Sequence, residues 1–543
     1  MTVYRSKDLD AVPAPAVDDR APATTTATAA PAATAAPAAT VPTAAAKRGA
    51  GERCRAAAPL AVPAALALAL GLWGITRQDS MWRDESVTYQ VAHRSLGDLA
   101  GLLGHIDAVH GLYYVLMHAV FSLWDGGLVA LRLPSTLATA VAAAGVGAIG
   151  TRLAGRRSGV CAGLVFALLP LTQQYAQEGR SYAVVTAGVT WATYLFLRGL
   201  RSPRAGWWAA YAVVLGLGCW FHEFAALALV AHALTLWRLR VPGRTWRRWA
   251  AAAACVLAGV LPLAVLSAGQ ADRQLGWLGR PSLAMWLQFL AVSALGALLC
   301  RFLVRGGPDP EARTGTAVAT LALPLLIAPP ALLMTVSLVK PWYVDRYVLY
   351  SMVGLALPAG AVLDRLLARR RRLVPVLRVP VACLLCLLAV GVAAVWLPAA
   401  QQLRSPDSRK DDVNAVARTV ERFARPGDGV LFLPARRREW LLSHPSVYQR
   451  LDDLALAKSP VASSSLEGTE LSADAIRRRI LAADRIIALA DPVGQPLDPF
   501  AEEVVKRRTL KTYFKVCERA QVRGAQVIVY VRAGHGDCTD PGA

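Results

Sequence analysis

Four short stretches carry the residue types that could do chemistry. The first is Trp82-Arg83-Asp84-Glu85, just after the first apolar run. A carboxylate at a membrane boundary can take a proton from an attacking hydroxyl if its surroundings tune it. An Asp-Glu pair is equally an ordinary solvated surface feature. The second is Asp107-Ala-Val-His110-Gly-Leu-Tyr113-Tyr114. Its acid and imidazole can orient a substrate, while paired tyrosines also suit a membrane interface. The third is Gln177-Glu178-Gly179-Arg180-Ser181-Tyr182. An acid and an arginine at a span boundary are costly unless paired or used, so Glu178 and Arg180 either bridge each other or bind ligand groups. The fourth is Lys340-Pro-Trp342-Tyr343-Val-Asp345-Arg346-Tyr347. Arginine meets phosphate oxygens in a bidentate way, and a lysine beside it adds charge. Snorkelling to lipid headgroups is the plainer use of these cations. His222-Glu223 is a fifth, weaker polar boundary.

The elements that must hold these stretches follow from composition. The chain has 543 residues, 55% of them hydrophobic, and a mean hydropathy of +0.38. Apolar runs recur from 56 to 398, several of them reaching the ~20 residues that cross a bilayer. They predict eleven spans, at 56–75, 129–150, 158–176, 182–198, 206–222, 224–237, 249–268, 284–303, 316–338, 347–364 and 378–398. The apolar stretch 111–124 is expected to lie along the outer surface within a first outer loop, 76–128. With that choice, from residue 47 to 398, the inside loops hold 24 Lys or Arg against 4 Asp or Glu, and the outer loops and outer span ends 9 against 10. Letting 111–124 span would put the later basic loops outside, against the positive-inside rule.

The topology therefore predicts a cytoplasmic N-terminus and an outer C-terminus. All the polar stretches fall on the outer face, as a consequence of the topology. The net charge of +22 sits in short loops such as 244–248 and 369–372, which argues for topology and against nucleic acid as a partner.

Residues 1–50, rich in Ala, Pro and Thr, are expected to be a disordered cytoplasmic tail. Residues 399–543 change character. Val413, Val416, Val420 and Phe423 have helical spacing, and 473–483 reads as a second helix. The runs 429–433, 485–490 and 526–531 read as buried strands. This predicts a small extracytoplasmic α/β domain. Of nine cysteines, Cys383 and Cys386 form a CxxC inside an apolar run and read as core. An oxidising setting permits a disulfide between Cys517 and Cys538.

In order and spacing, MWRDESVTYQVA, DAVHGLYYVLMHAVFSLW, ALRLPSTLATAV, LLPLTQQYAQEGRSYAVV and KPWYVDRYVLYSMVG resemble glycosyltransferase family 39 of the GT-C superfamily. That family includes protein O-mannosyltransferases and aminoarabinose-lipid A transferases. The likeness covers about 60–400, and KDDVNAVARTVERFARPGDGVLF is similar to the tail of bacterial members. The resemblance implies a GT-C fold on an α-helical polytopic membrane protein. It implies a polyprenyl-phosphate sugar as donor, mannose by family analogy. Asp84 becomes the base with Glu85 beside it, Glu178 the family's second acid, and Arg180 and Arg346 the donor-phosphate candidates. Asp107, His110, Tyr113, Lys340 and Asp345 complete the expected substrate-binding set. Where the family often has His-Pro-Pro, this chain has His110-Gly-Leu. The expected reaction is inverting, needs no metal or other cofactor, and runs among membrane lipids. The acceptor is a protein, lipid or glycan. Transfer of another lipid-linked sugar is the rival within enzymes. A flippase is the rival outside them, though it would favour mid-span ionisable residues and matching halves.

Overall fold

The computed structural model describes residues 50–202, 204–276, 278–305, 310–371, 375–534 and 538. The expected N-terminal tail lies outside these residues. Apolar runs too long for strands become helices, because in lipid a helix satisfies its own backbone. The first part of the chain contains α1 (Ala50–Leu72), α2 (Arg83–Ala92), α3 (Leu96–Leu103), α4 (Gly111–Leu123) and α5 (Gly127–Ala154). It continues with α6 (Arg156–Leu168), α7 (Pro170–Ala176), α8 (Tyr182–Arg201), α9 (Gly206–Phe221) and α10 (Leu227–Leu239). Then come α11 (Gly243–Leu275), α12 (Leu283–Val304), α13 (Pro310–Val336), α14 (Met352–Arg371) and α15 (Pro375–Gln402).

Each of the eleven expected spans thus contains helix. Among the described residues, six helices are long and apolar enough to cross a membrane, or seven if the bent pair α6–α7 counts as one span. That pair breaks by 65° at Pro170, which lacks an N–H to continue the ladder. The stretch 111–124 is a helix of 13 residues, too short to cross. Cys383 and Cys386 fall on α15, at positions whose side chains lie outside the described set.

Close helix approach depends on small residues. A side chain at Gly147 of α5 would overlap the Pro59 carbonyl of α1, and one at Gly360 of α14 would overlap Ala162 of α6. α12 packs Gly296 against Leu326 of α13 and leaves Leu283, Leu287 and Leu298 exposed, as a lipid-facing flank would be.

The C-terminal part adds α16 (Val413–Phe423), α17 (Glu439–Leu442), α18 (Pro445–Tyr448), α19 (Ala473–Ala482) and α20 (Ala501–Tyr513). Its strands are β1 (Gly429–Leu433), β2 (Asp452–Asp453), β3 (Leu456–Lys458), β4 (Thr469–Glu470), β5 (Arg485–Ala490), β6 (Phe514–Val522) and β7 (Ala525–Arg532). Five of them form a mixed sheet in the order β2-β1-β5-β7-β6. Strand alternation sends Val430, Phe432, Ile487 and Leu489 to one face, under α16. Leu431 and Ile486 go to the other, with Ile476 of α19 and Leu510 of α20.

The two expected helices and the three expected strands of this part are all present within about two residues. The periodicity did not reveal α20 or β6. β6 is an edge strand in which charged and polar residues interrupt the apolar ones and most positions are exposed, so it lacks the apolar run that marks a buried strand. It carries Cys517, which is bonded to Cys538 with a Cα separation of 5.2 Å.

Candidate active site

Asp84 and Glu85 share the first turn of α2. Neighbours on a helix point about 100° apart, so the two carboxylates cannot share a destination. Glu85 turns inward and is fully buried. Arg132, on the first turns of α5, grips it with Nε and Nη2, each at 2.7 Å. Arg77 adds a contact at 3.3 Å and the Gly179 amide one at 3.1 Å. Burial pushes the Glu85 carboxyl up, but Arg132 and Arg77 outweigh it and hold the group at about 2. Arg132 also donates to the carbonyls of Ile75 at 2.7 Å and Ser80 at 2.6 Å. Glu85 is therefore the centre of a buried clamp that joins α2, α5 and the 177–181 turn, and it does not line the cavity.

Asp84 faces a cavity of about 500 Å³. Its Oδ2 lies 3.4 Å from Arg346 Nη2, and its Oδ1 lies 3.8 Å from Arg180 Nη2. Its side chain keeps 25% exposure. Arg346 also donates to the Tyr182 hydroxyl at 3.1 Å. The rings of Trp82, Tyr182 and Tyr347 surround its guanidinium at 5.5–5.7 Å, within cation–π range. Arg180 donates to Tyr114 Oη at 3.0 Å, and that hydroxyl donates to Asp107 Oδ2 at 2.6 Å. Gln274 of α11 donates to the other Asp107 oxygen. Asp107 holds left-handed backbone, φ 63°, a conformation that aspartate tolerates better than most residues. His110 and His222 line the same cavity with ring centroids 5.8 Å apart. His110 Nδ1 is buried without a hydrogen-bond partner.

One wall is apolar, built from Leu257, Val260, Ala264 and Ala271 of α11 with Phe224. Glu439 and Leu466, from the C-terminal part of the chain, also line it.

Of the expected residues, Asp84, Asp107, His110, Arg180 and Arg346 thus meet in one cavity. The others do not line it. Tyr113 is packed in a core with Met81, Met117 and Leu131, and Tyr114 takes the polar position instead. Lys340 pairs with Asp272 at 3.6 Å on the surface. Asp345 accepts from the Tyr175 hydroxyl at 3.0 Å. Glu178 is buried and pairs with Arg409 at 3.4 Å. The residues that sequence reasoning missed are Arg132, Gln274 and Glu439. Among the described residues, no three His, Cys, Asp or Glu side chains come together as a metal site would need.

Glu178 makes a testable contribution to stability. Burial pushes its carboxyl up to about 7, against the pull of Arg409 and Arg346. A carboxyl raised in the folded state holds its proton more tightly there than in the unfolded chain. Its contribution is complete below the unfolded value near 4.5 and is lost as pH rises through 7. The thermal midpoint of the wild type in detergent should fall by a few degrees between about pH 5 and pH 7.5. Glu178→Gln should flatten that slope in the same measurement. An equal slope in both proteins would remove Glu178 as its source.

Residues 112–268 match the family model described as dolichyl-phosphate-mannose-protein mannosyltransferase. Among solved structures, the chain is similar to ArnT from Cupriavidus metallidurans in the apo state, at 14% identity and a TM-score of 0.55. It is also similar to ArnT from Cupriavidus metallidurans bound to undecaprenyl phosphate, at 15% identity and a TM-score of 0.56. Both likenesses cover 86% of this chain and 96% of the other. No curated protein sequence matches the chain. The chain thus shares the ArnT fold over 86% of its length, and within it residues 112–268 match a mannosyltransferase family model.

Proposed function

We propose that the chain transfers a hexose from a polyprenyl-phosphate carrier to an acceptor hydroxyl on the extracytoplasmic face, with inversion at the anomeric carbon. The observation that carries this reading is Asp84, which presents its carboxylate between two guanidiniums in a cavity with one apolar wall. Asp84 accepts the proton of the attacking hydroxyl as the carbon–oxygen bond forms. The bond to the lipid phosphate breaks, and negative charge grows on the leaving oxygens. Arg346, with Arg180 beside it, meets that charge where little water competes. The apolar face of α11 suits the polyprenyl chain, and ArnT from Cupriavidus metallidurans binds a lipid phosphate of that kind, undecaprenyl phosphate. The family description supports mannose as the sugar. The basic inside loops support an outward cavity, a cytoplasmic N-terminus and an extracytoplasmic C-terminal domain. The acceptor is a protein, lipid or glycan hydroxyl.

The test is label transfer from polyprenyl-phosphate mannose to native extract, in membranes that carry the protein. Arg346→Ala should lower the rate roughly 10²–10³-fold. Arg346→Lys should recover only part, because an ammonium lacks the planar fork. Transfer from another polyprenyl-linked hexose alone would keep the class and change the sugar. An unaltered rate in Arg346→Ala would take Arg346 out of the reaction.

A further inference from the structure

Arg83 immediately precedes Asp84, and the C-terminal domain holds it twice. Its backbone N–H donates to Asp411 Oδ1 at 2.8 Å. Its guanidinium pairs with Glu439, which is 1% exposed. The grip extends on either side. The Met81 carbonyl accepts from the Val413 amide at 2.7 Å, and the Met81 amide donates to Asp412 Oδ1 at 3.4 Å. Ser86 donates to Ser443 Oγ at 2.9 Å.

A helix leaves its first N–H groups unpaired, and Trp82, at the N-cap of α2, gives no side-chain hydrogen bond to them. Asp411, from 328 residues away, supplies an acceptor there. α2 has only 10 residues, too few to hold a helical register alone. Glu85 anchors it from behind, and Asp411 and Glu439 anchor it from the other domain. A buried carboxylate that loses its partner is strongly unfavourable, so Glu439 fixes Arg83 rather than merely touching it.

We propose that Asp411 and Glu439 are positioning residues for Asp84, so that the C-terminal domain is a working part of the active site. The proposal rests on the reading of Asp84 as the base. It makes the domain a determinant of turnover rather than of donor binding, since the arginines beside Asp84 belong to the helical part of the chain.

The test uses the full-length protein with Glu439→Gln, Glu439→Asp and Asp411→Asn, and with Asp84→Asn beside them. Hydrogen–deuterium exchange is followed over 83–92 and over α5 as control. Transfer is measured from labelled polyprenyl-phosphate mannose. Glu439→Gln should raise exchange across 83–92 and leave α5 unchanged. Turnover should fall roughly 10- to 100-fold, with the donor KM unchanged within about twofold and the thermal midpoint nearly kept. Asp411→Asn should act in the same direction, and Glu439→Asp should restore part of the rate. The proposal is overturned if exchange over 83–92 stays at the wild-type level, if the loss is confined to KM, or if it only follows the amount of folded protein. Full activity in Asp84→Asn would instead defeat the reading of the base. The exchange data would then still decide whether the C-terminal domain holds this helix.

Discussion

Asp84→Asn should lower sugar transfer by roughly 10²–10⁴-fold, the span that general-base catalysis usually covers. Asparagine keeps the size of the side chain and an oxygen toward Arg346, but it cannot take up the acceptor proton. The carboxylate next to it in sequence cannot replace it. Glu85 is fully buried and occupied by Arg132 and Arg77, and it points away from the cavity. Donor affinity should change little, because Arg180 and Arg346 stay in place to meet the phosphate. The loss should therefore appear in kcat, with donor KM within a few-fold. Folding should be unaffected, since Asp84 is partly exposed and its ion pairs are long, at 3.4 and 3.8 Å. Initial rates with labelled polyprenyl-phosphate mannose at several donor concentrations, at matched expression, check this. A variant within tenfold of the wild type would remove Asp84 as the base.

Arg132→Met should be the most damaging substitution outside the cavity. Methionine fills similar volume, yet Glu85 would keep its burial and lose its bidentate partner. Arg77, at 3.3 Å, would be its remaining cation in contact. The carbonyls of Ile75 and Ser80 would lose donors as well. Breaking a buried pair by removing one partner typically costs about 3–5 kcal/mol. That should show as a sharp loss of folded yield and a lower thermal midpoint in detergent. Adding Glu85→Leu together with Arg77→Met should return part of the loss, because both stranded charges are then gone, while the carbonyls they served stay unpaired. A single variant that melts like the wild type would mean the clamp contributes nothing to the fold.

The two predictions separate roles that the sequence writes side by side. Asp84-Glu85 reads as one acidic pair. One member is read as the base, and the other ties three segments together.

Local chemistry determined much of this protein by itself. Apolar runs of span length require helices in lipid, so the helical architecture was legible from 56 to 398. So was the shortness of 111–124. The buried strands 429–433 and 485–490 were legible because both faces of a central strand are covered and it must be apolar throughout. Asp84, Asp107, His110, Arg180 and Arg346 stood out because a charged or polar group at a span boundary needs a reason.

The tertiary structure alone decided which of two neighbours does what. Periodicity gives a helix its faces but does not say which face meets the cavity. Asp84 could not be told from Glu85, nor Tyr114 from Tyr113, until packing oriented α2 and α4. Lys340 and Asp345 share a stretch with Arg346, yet only Arg346 of the three reaches the cavity. Long-range partners left still less trace. Arg132 reads as a single charge at a span end, and its acid lies 47 residues earlier. Glu439 lies 356 residues from Arg83. A side chain's type is local, whereas the groups that surround it are set only when distant segments pack together.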